Sequence, residues 1–238
     1  MEIRVIGSGA MMCERNSSSF IIDGNTAFDM PNGYCKNLYK LGIDPASIEN
    51  VIITHFHGDH FFDLPFYLII KDKYFDKKIK IYAPKTAEKK IKTLCKLAGF
   101  SNAIDFLNKK NKCQIIYEDK FKINSYKVEK VLLKHSKSVK SYGYLFDSGT
   151  VTVGFTGDTA MCDNLEYMLQ KCNLIFIDCD LVKGNDKHLG VDNILELSNK
   201  YPECKFALTH LTIDSLKELK NIQKENVILL EDNELITI

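Results

Sequence analysis

Along this chain, short apolar runs alternate with polar breaks, and the run lengths set the elements that can form. Runs rich in β-branched and aromatic side chains predict strands at 3–6, 19–23, 51–54, 80–82, 114–117, 127–133, 142–146, 151–155, 174–177, 206–209 and 227–230. A 3.6-residue period appears at 86–98, where Ala87, Ile91, Leu94, Cys95 and Ala98 share a face and Lys89, Lys90, Lys92 and Lys96 fall largely elsewhere. Pro84 precedes that segment and Gly99 can end it. Further helices are predicted at 163–172, 191–201 and 215–224. Early strands crowd together and later ones alternate with helices. The expectation is an α/β fold with sheets packed together and covered by helices, in a single domain spanning 1–238.

Composition narrows the class. Of 238 residues, 45% are apolar and 26% charged, as in soluble globular proteins. The longest apolar run, 64–70, contains Pro65 and is too short to cross a bilayer, so no membrane association is expected. The opening MEIRVIGSGA carries Glu2 and Arg4 and has no long apolar stretch, so no export signal is read there. None of the eight cysteines forms a CxxC pair, which argues against a zinc ribbon or redox dithiol. Free thiols and a cytoplasmic location are expected. Net charge is +1, but residues 71–140 hold 20 Lys and no Arg against 7 acidic residues. Such a segment could contact RNA; with 30 Lys and only 2 Arg in the whole chain, a solvated lysine face is the simpler reading.

The chemistry concentrates in Thr54-His55-Phe56-His57-Gly58-Asp59-His60, which follows the apolar run Val51-Ile52-Ile53. His55 and His57 are two apart, so both can point one way from an extended segment. Gly58 allows a sharp turn, after which Asp59 and His60 project differently. Four such groups crowd a single ion with ligand distances of about 2 Å; they suit two neighbouring ions. The remaining histidines, His135, His188 and His210, lie near strand ends or in a turn, and Asp158 emerges from 151–155 beside Gly157.

This set resembles the metallo-β-lactamase superfamily: HxHxDH at 55–60, then His135, Asp158 in FTGDT, and His210 in LTHL. The resemblance implies a four-layer αββα sandwich. It implies that His55, His57 and His135 hold one metal, that Asp59, His60 and His210 hold a second, and that Asp158 bridges them with a water or hydroxide. Two Zn2+ are implied, although His/Asp sites also accept Mn2+ or Fe2+. Two ions about 3.5–4 Å apart activate a bridging hydroxide as nucleophile. The lactamase branch proper uses a Cys ligand, and no Cys occupies 158.

Ile6-Gly7-Ser8-Gly9-Ala10, Arg15-Asn16-Ser17-Ser18-Ser19 and the extension through Leu64-Pro65 are similar to the ribonuclease Z and phosphodiesterase branch. There His188 sits where a non-ligand His assists the leaving group. The implied activity is phosphodiester hydrolysis, with Asp59 and His188 as the catalytic pair. Departures exist. The Glu-containing glycine stretch of that branch is replaced by Phe28-Asp29-Met30-Pro31-Asn32-Gly33, and only residues 136–157 lie where a tRNA-binding arm would be inserted, room for one hairpin around 147–149. Asp178-Cys179-Asp180 stands where a His-Glu pair would support the catalytic His; either Asp could orient His188. Arg15 could be a phosphate fork or a structural ion pair, and Ser136 and Ser138 read as turn serines. The alternatives are a thioesterase or lactonase on the same centre, and a non-catalytic metal-bearing module that binds nucleic acid. The resemblance also points to a homodimer.

Overall fold

The computed structural model describes residues 1–75 and 77–238, which form two compact units. The first comprises Met1–Gly7, Ser17–Tyr117 and Asp232–Ile238; the second comprises Ser8–Asn16 and Glu118–Glu231.

The first unit is built on a mixed seven-stranded sheet. Its strands are β1 (Glu2–Gly7), β2 (Ser19–Ile22), β3 (Thr26–Phe28), β4 (Asn50–Ile52), β5 (Ile79–Tyr82), β6 (Cys113–Ile116) and the last strand of the chain, β14 (Leu235–Thr237), in the order β14-β1-β2-β3-β4-β5-β6. β3 to β6 run parallel, and the other neighbours are antiparallel. The helices are α1 (Tyr34–Lys40), the single turn α2 (Gly58–Phe61), α3 (Leu64–Tyr74), α4 (Ala87–Leu97) and α5 (Ser101–Asn108). One core joins Ile21, Val51 and Ile81 of the sheet to Leu38, Leu68, Ile91 and Phe106 of the helices.

α4 matches its predicted face: Ala87, Ile91 and Cys95 are buried, and Gly99 follows the helix at φ +73°, the left-handed conformation that glycine adopts freely. α3 is the apolar run that reads as featureless in sequence. Pro65 is tolerated because it lies in the first turn, where no intrahelical N–H is needed. Its buried face, Leu64, Leu68 and Lys71, ends in a lysine whose Nζ donates to the carbonyls of Ala46 (3.2 Å) and Ile48 (2.6 Å) at the short 3-10 helix Pro45–Ser47. Burial lowers that ammonium to a pKa of about 8.

The second unit carries the other seven-stranded mixed sheet: β7 (Lys120–Ile123), β8 (Tyr126–Leu133), β9 (Ser141–Asp147), β10 (Thr152–Phe155), β11 (Leu174–Asp178), β12 (Lys205–Thr209) and β13 (Val227–Leu229). β7 to β10 form an antiparallel meander; β10 to β13 run parallel. Parallel neighbours need crossovers, and α6 (Asp163–Leu169), α7 (Val191–Lys200) and α8 (Ile213–Leu219) supply them. Leu165, Met168, Ile194, Leu197 and Leu219 of these helices share a core with Ile175, Ile177, Phe206 and Leu208 of the strands. The predicted hairpin after His135 is present as β9–β10, turning through 148–151 with Gly149 at φ +90°.

All eight cysteines are free, five of them buried. No described helix is long and apolar enough to cross a membrane.

Candidate metal centre

In the first unit the histidines follow the C-terminal end of β4, whose neighbours β3 and β5 run parallel to it. The strand stops at Ile52, so Thr54 to His57 lie beyond it, outside regular structure, and His57 enters α2 with extended backbone at φ −84°, ψ 152°. The two-residue spacing works as expected: His55 Nε2 lies 3.1 Å from His57 Nδ1. Asp59 and His60 then project from the helical turn, with His60 Nε2 3.9 Å from Asp59 Oδ2. The chain turns sharply at Gly58, as expected, passing from extended backbone at His57 into the helical turn α2. The φ of Gly58 is not positive, and its role is clearance, because a Cβ there would sit 2.5 Å from the Phe62 ring.

Sequence reasoning passed over Asp29. This buried residue follows β3 at φ 57°, an uncommon conformation outside glycine. Its Oδ2 receives His60 Nδ1 at 2.7 Å and the Thr54 hydroxyl at 2.8 Å, and its Oδ1 accepts the Thr54 N–H at 2.8 Å. Asp29 therefore fixes the His60 ring so that Nε2 is the nitrogen left for a metal. Burial pushes the Asp29 carboxyl up, while the His60 charge and the bonds from His60 and Thr54 pull it back. Thr54 Oγ1 also stands 3.0 Å from His55 Nδ1.

In the second unit Asp158 follows β10, Asp178 ends β11 and His210 follows β12, at the C-terminal ends of three adjacent parallel strands. That is where open sheets hold their ligands. Asp158, His188 and His210 offer ligand atoms within 4.8 Å of one another. Asp158 presents a different oxygen to each of two imidazoles: Oδ2 lies 3.7 Å from His135 Nε2, and Oδ1 lies 3.5 Å from His210 Nε2. These separations are longer than charged hydrogen bonds and close to the edge of a coordination shell with metal–ligand distances of about 2.0–2.2 Å. His135 is oriented through Nδ1, which is 2.9 Å from the Lys187 carbonyl.

His188 is held differently. Its Nδ1 meets Asp178 Oδ2 at 3.0 Å, its ring stacks on His210 at 5.3 Å between centroids, and it meets His135 edge-on at 4.8 Å. Asp178 is buried and also accepts the Thr159 N–H at 3.0 Å. Of the two candidate acids, Asp178 therefore orients His188, and Asp180 approaches His210 Nδ1 at 3.4 Å. Burial alone would lower His188, but the hydrogen bond and charge of Asp178, with the charge of Asp158, raise it above the ordinary imidazole value.

Arg15 is structural here. Its guanidinium donates to Ser8 Oγ at 2.9 Å, to the Leu230 carbonyl, and to Glu231 at 2.6 Å. Ser136 and Ser138 bond each other at 3.1 Å, as turn serines do.

With this geometry in view, comparisons with known proteins place the chain. The family model described as anti-Pycsar protein Apyc1 matches residues 1–234. The chain belongs to the Apyc1 family. Its Apyc1-type sequence is also similar to ribonuclease Z of Pyrococcus abyssi, at 24% identity over an alignment of 263 residues that covers 88% of this chain and 86% of that protein. Ribonuclease Z of Enterococcus faecalis is 29% identical over 157 residues, 60% of this chain and 48% of the relative, so that match spans about half of the relative's length.

Among solved structures, the metallo-β-lactamase fold protein YhfI of Bacillus subtilis superposes at a TM-score of 0.78 with 15% identity, covering 99% of each chain. Human tRNase Z, short form, gives 0.76 with 21% identity over 100% of this chain and 99% of that one. A diphosphatase of the PhnP family gives 0.77 with 19% identity over 100% and 97%. The Apyc1-family chain thus has the metallo-β-lactamase fold, in the ribonuclease Z-like branch, and its His/Asp set is that of a metal-dependent hydrolase.

Proposed function

We propose that the chain is a dinuclear metal-dependent phosphodiesterase acting on a small phosphodiester, with 1–238 working as one metallo-β-lactamase-like domain. The observation that carries this is Asp158, whose two oxygens face two different histidines, as a carboxylate shared by two ions must. In this reading His55, His57 and His135 would hold one ion, Asp59, His60 and His210 would hold the other, and Asp158 would serve both. The donor set of imidazoles and carboxylates fits Zn2+, with Mn2+ and Fe2+ as alternatives. When bound, the metals would acidify water and neutralise charge on phosphoryl oxygens.

The protein's own groups do the rest. Asp29 and the Lys187 carbonyl fix the tautomers of His60 and His135. His188, held by Asp178, donates a proton to the departing alkoxide. Asp59 adds a carboxylate beside His60 that can accept a proton from the attacking water. A small substrate is favoured because β9–β10 fills residues 136–157, where a tRNA-binding arm would otherwise be inserted.

The deciding experiment combines metal analysis with hydrolysis of bis-p-nitrophenyl phosphate, a small cyclic phosphodiester, an S-acyl glutathione and a lactone. Two ions per chain and turnover of the phosphodiesters alone are expected, and Asp158→Ala should remove metal and most turnover. Thioester or lactone turnover alone would replace this reading with a thioesterase or lactonase. No turnover together with tight, salt-dependent RNA binding would replace it with a nucleic-acid-binding module. Cytoplasmic placement and a homodimer (tested by light scattering) are further parts of the proposal; RNA contact through residues 71–140 belongs to the alternative reading that the RNA-binding measurement tests.

A further inference from the structure

The Lys-rich stretch builds a second polar feature in the second unit, away from the histidines. β8 begins beside Lys127 and ends at Leu133, two residues before His135. At 3.3–3.4 Å per residue, Lys127 lies about 20 Å along the strand from Leu133. At this far end is a cavity of about 630 Å³, lined by Lys120 and Lys122 of β7, Lys127 and Glu129 of β8, Asp147 of β9, and Lys171 just beyond α6. Leu145, buried, adds apolar surface to its wall.

The six charged groups are not equivalent. Glu129 already engages the Tyr167 hydroxyl, 3.1 Å from each oxygen, together with Lys171 at 3.4 Å and Lys120 at 3.7 Å. Lys171 additionally lies 4.0 Å over the Tyr167 ring. Asp147 accepts the Gly149 N–H at 2.7 Å within its own turn. Lys122 and Lys127 stand directly opposite each other across the β7–β8 ladder, and among the described residues neither has a carboxylate within ion-pair distance. Two like charges in register repel, and Asp147, opposite Lys127 across the β8–β9 ladder, offsets only part of that without forming an ion pair with either lysine. An anion between them removes the repulsion and adds two charge-assisted hydrogen bonds.

We propose that this cavity binds a phosphate-bearing small molecule, its phosphate between Lys122 and Lys127 and its remainder against Leu145 and the lysine stems. The volume suits such a ligand, since small-molecule sites measure about 300–1,000 Å³. Lysine stems give apolar contact while their ammonium groups hold the anion. Two uncommitted ammonium groups match one phosphate; a nucleic-acid strand needs a row of them, and Lys120 and Lys171 are occupied by Glu129. The site is independent of the phosphodiesterase reading, because no residue in it belongs to the histidine set.

The test uses the full, metal-loaded, 15N-labelled chain, titrated with inorganic phosphate, with adenosine monophosphate and with chloride at matched ionic strength. Saturable amide shifts at 120–129 and 145–150 are expected with both phosphate compounds, tighter with adenosine monophosphate, and absent with chloride. The double variant K122Q/K127Q should lose about tenfold or more in affinity at those positions. It should melt no lower than the parent without ligand and keep its bis-p-nitrophenyl phosphate turnover. The absence of saturable shifts at millimolar phosphate would overturn the proposal, as would shifts that persist unchanged in K122Q/K127Q. Tighter, steeply salt-dependent binding of a single-stranded RNA through the same two lysines would overturn it in favour of a nucleic-acid contact.

Discussion

Replacing Asp178 by Asn probes the arrangement around His188 most directly. Asp178 Oδ2 is 3.0 Å from His188 Nδ1, and the carboxylate is buried. Asn keeps the shape, and its carbonyl can still accept the Thr159 N–H, but the negative charge is gone. A hydrogen bond to a charged group contributes about 1.5–3 kcal/mol. Fully expressed in the step where His188 gives up its proton, that is a loss of about 10- to 150-fold in kcat. Asp178 is also what lifts His188 against the effect of burial, so Asp178→Asn should lower the imidazole pKa. A proton donor works in its protonated form, so the high-pH limb of kcat should move to lower pH.

The assay is turnover by the metal-loaded parent and variant from about pH 5 to pH 9, the range in which a histidine titrates, with metal content measured in parallel. Two substrates separate the roles. Nitrophenolate leaves readily without a proton and an alkoxide does not, so the loss should be large for an alkoxide-releasing phosphodiester and small for bis-p-nitrophenyl phosphate. Equal losses on both substrates or an unmoved limb would refute the assignment of His188 as a proton donor held by Asp178; the metal measurement separates this from an effect on His210, whose Nδ1 lies 3.7 Å from Asp178 Oδ1.

Other outcomes follow from single sites. Asp29→Ala removes the 2.7 Å contact that fixes His60 and should cost about 10- to 100-fold in metal affinity or activity, read by metal titration; unchanged affinity would deny Asp29 that role. Lys71, lowered by burial to about 8, should make stability rise with pH, because above its folded pKa the unfolded chain holds a proton that the folded chain has released. Relative to Lys71→Met, the parent should gain up to about 3 kcal/mol between pH 8 and 10.5 and nothing below; parallel denaturation curves at each pH would show it, and a constant difference would refute it. A Cβ at Gly190 would lie 2.3 Å from the Gly184 nitrogen and 2.6 Å from the Lys183 carbonyl carbon. Gly190→Ala must therefore shift the backbone of the loop that carries His188. It should cost about 1–3 kcal/mol of stability and lower kcat together with Tm; a variant with parental values of both would show that the loop yields freely.

How much was legible depended on how local the signal was. The strands from β8 to β13 announced themselves through β-branched and aromatic runs, and α4 through its period. β7 did not, because Lys120-Phe121-Lys122-Ile123 is an edge strand whose lysines look like solvated surface. β3 and β14, three residues each, were not predicted either. α3 was hidden because its apolar run continues past one face and its buried face ends in Lys71, a residue type that composition assigns to the surface. Asp29 was hidden because a single acid after a short strand looks like any turn residue. Only the left-handed backbone and the three bonds to its carboxylate reveal it.

The sequence by itself determined the donors. His55, His57, Asp59 and His60 are fixed relative to one another by a two-residue extended period and one helical turn, and both are local geometry. What only the tertiary structure decided is which distant residues meet. Asp158, Asp178 and His210 become neighbours because β10, β11 and β12 pair in parallel, with Phe155 opposite Phe176 and Asp178 opposite Thr209. Strand pairing is made by hydrogen bonds between segments separated by whole helices, and no local pattern encodes which strand lies beside which. The same pairing chose Asp178 over Asp180 for His188, since the end of β11 places one carboxylate under that ring and leaves the other facing His210.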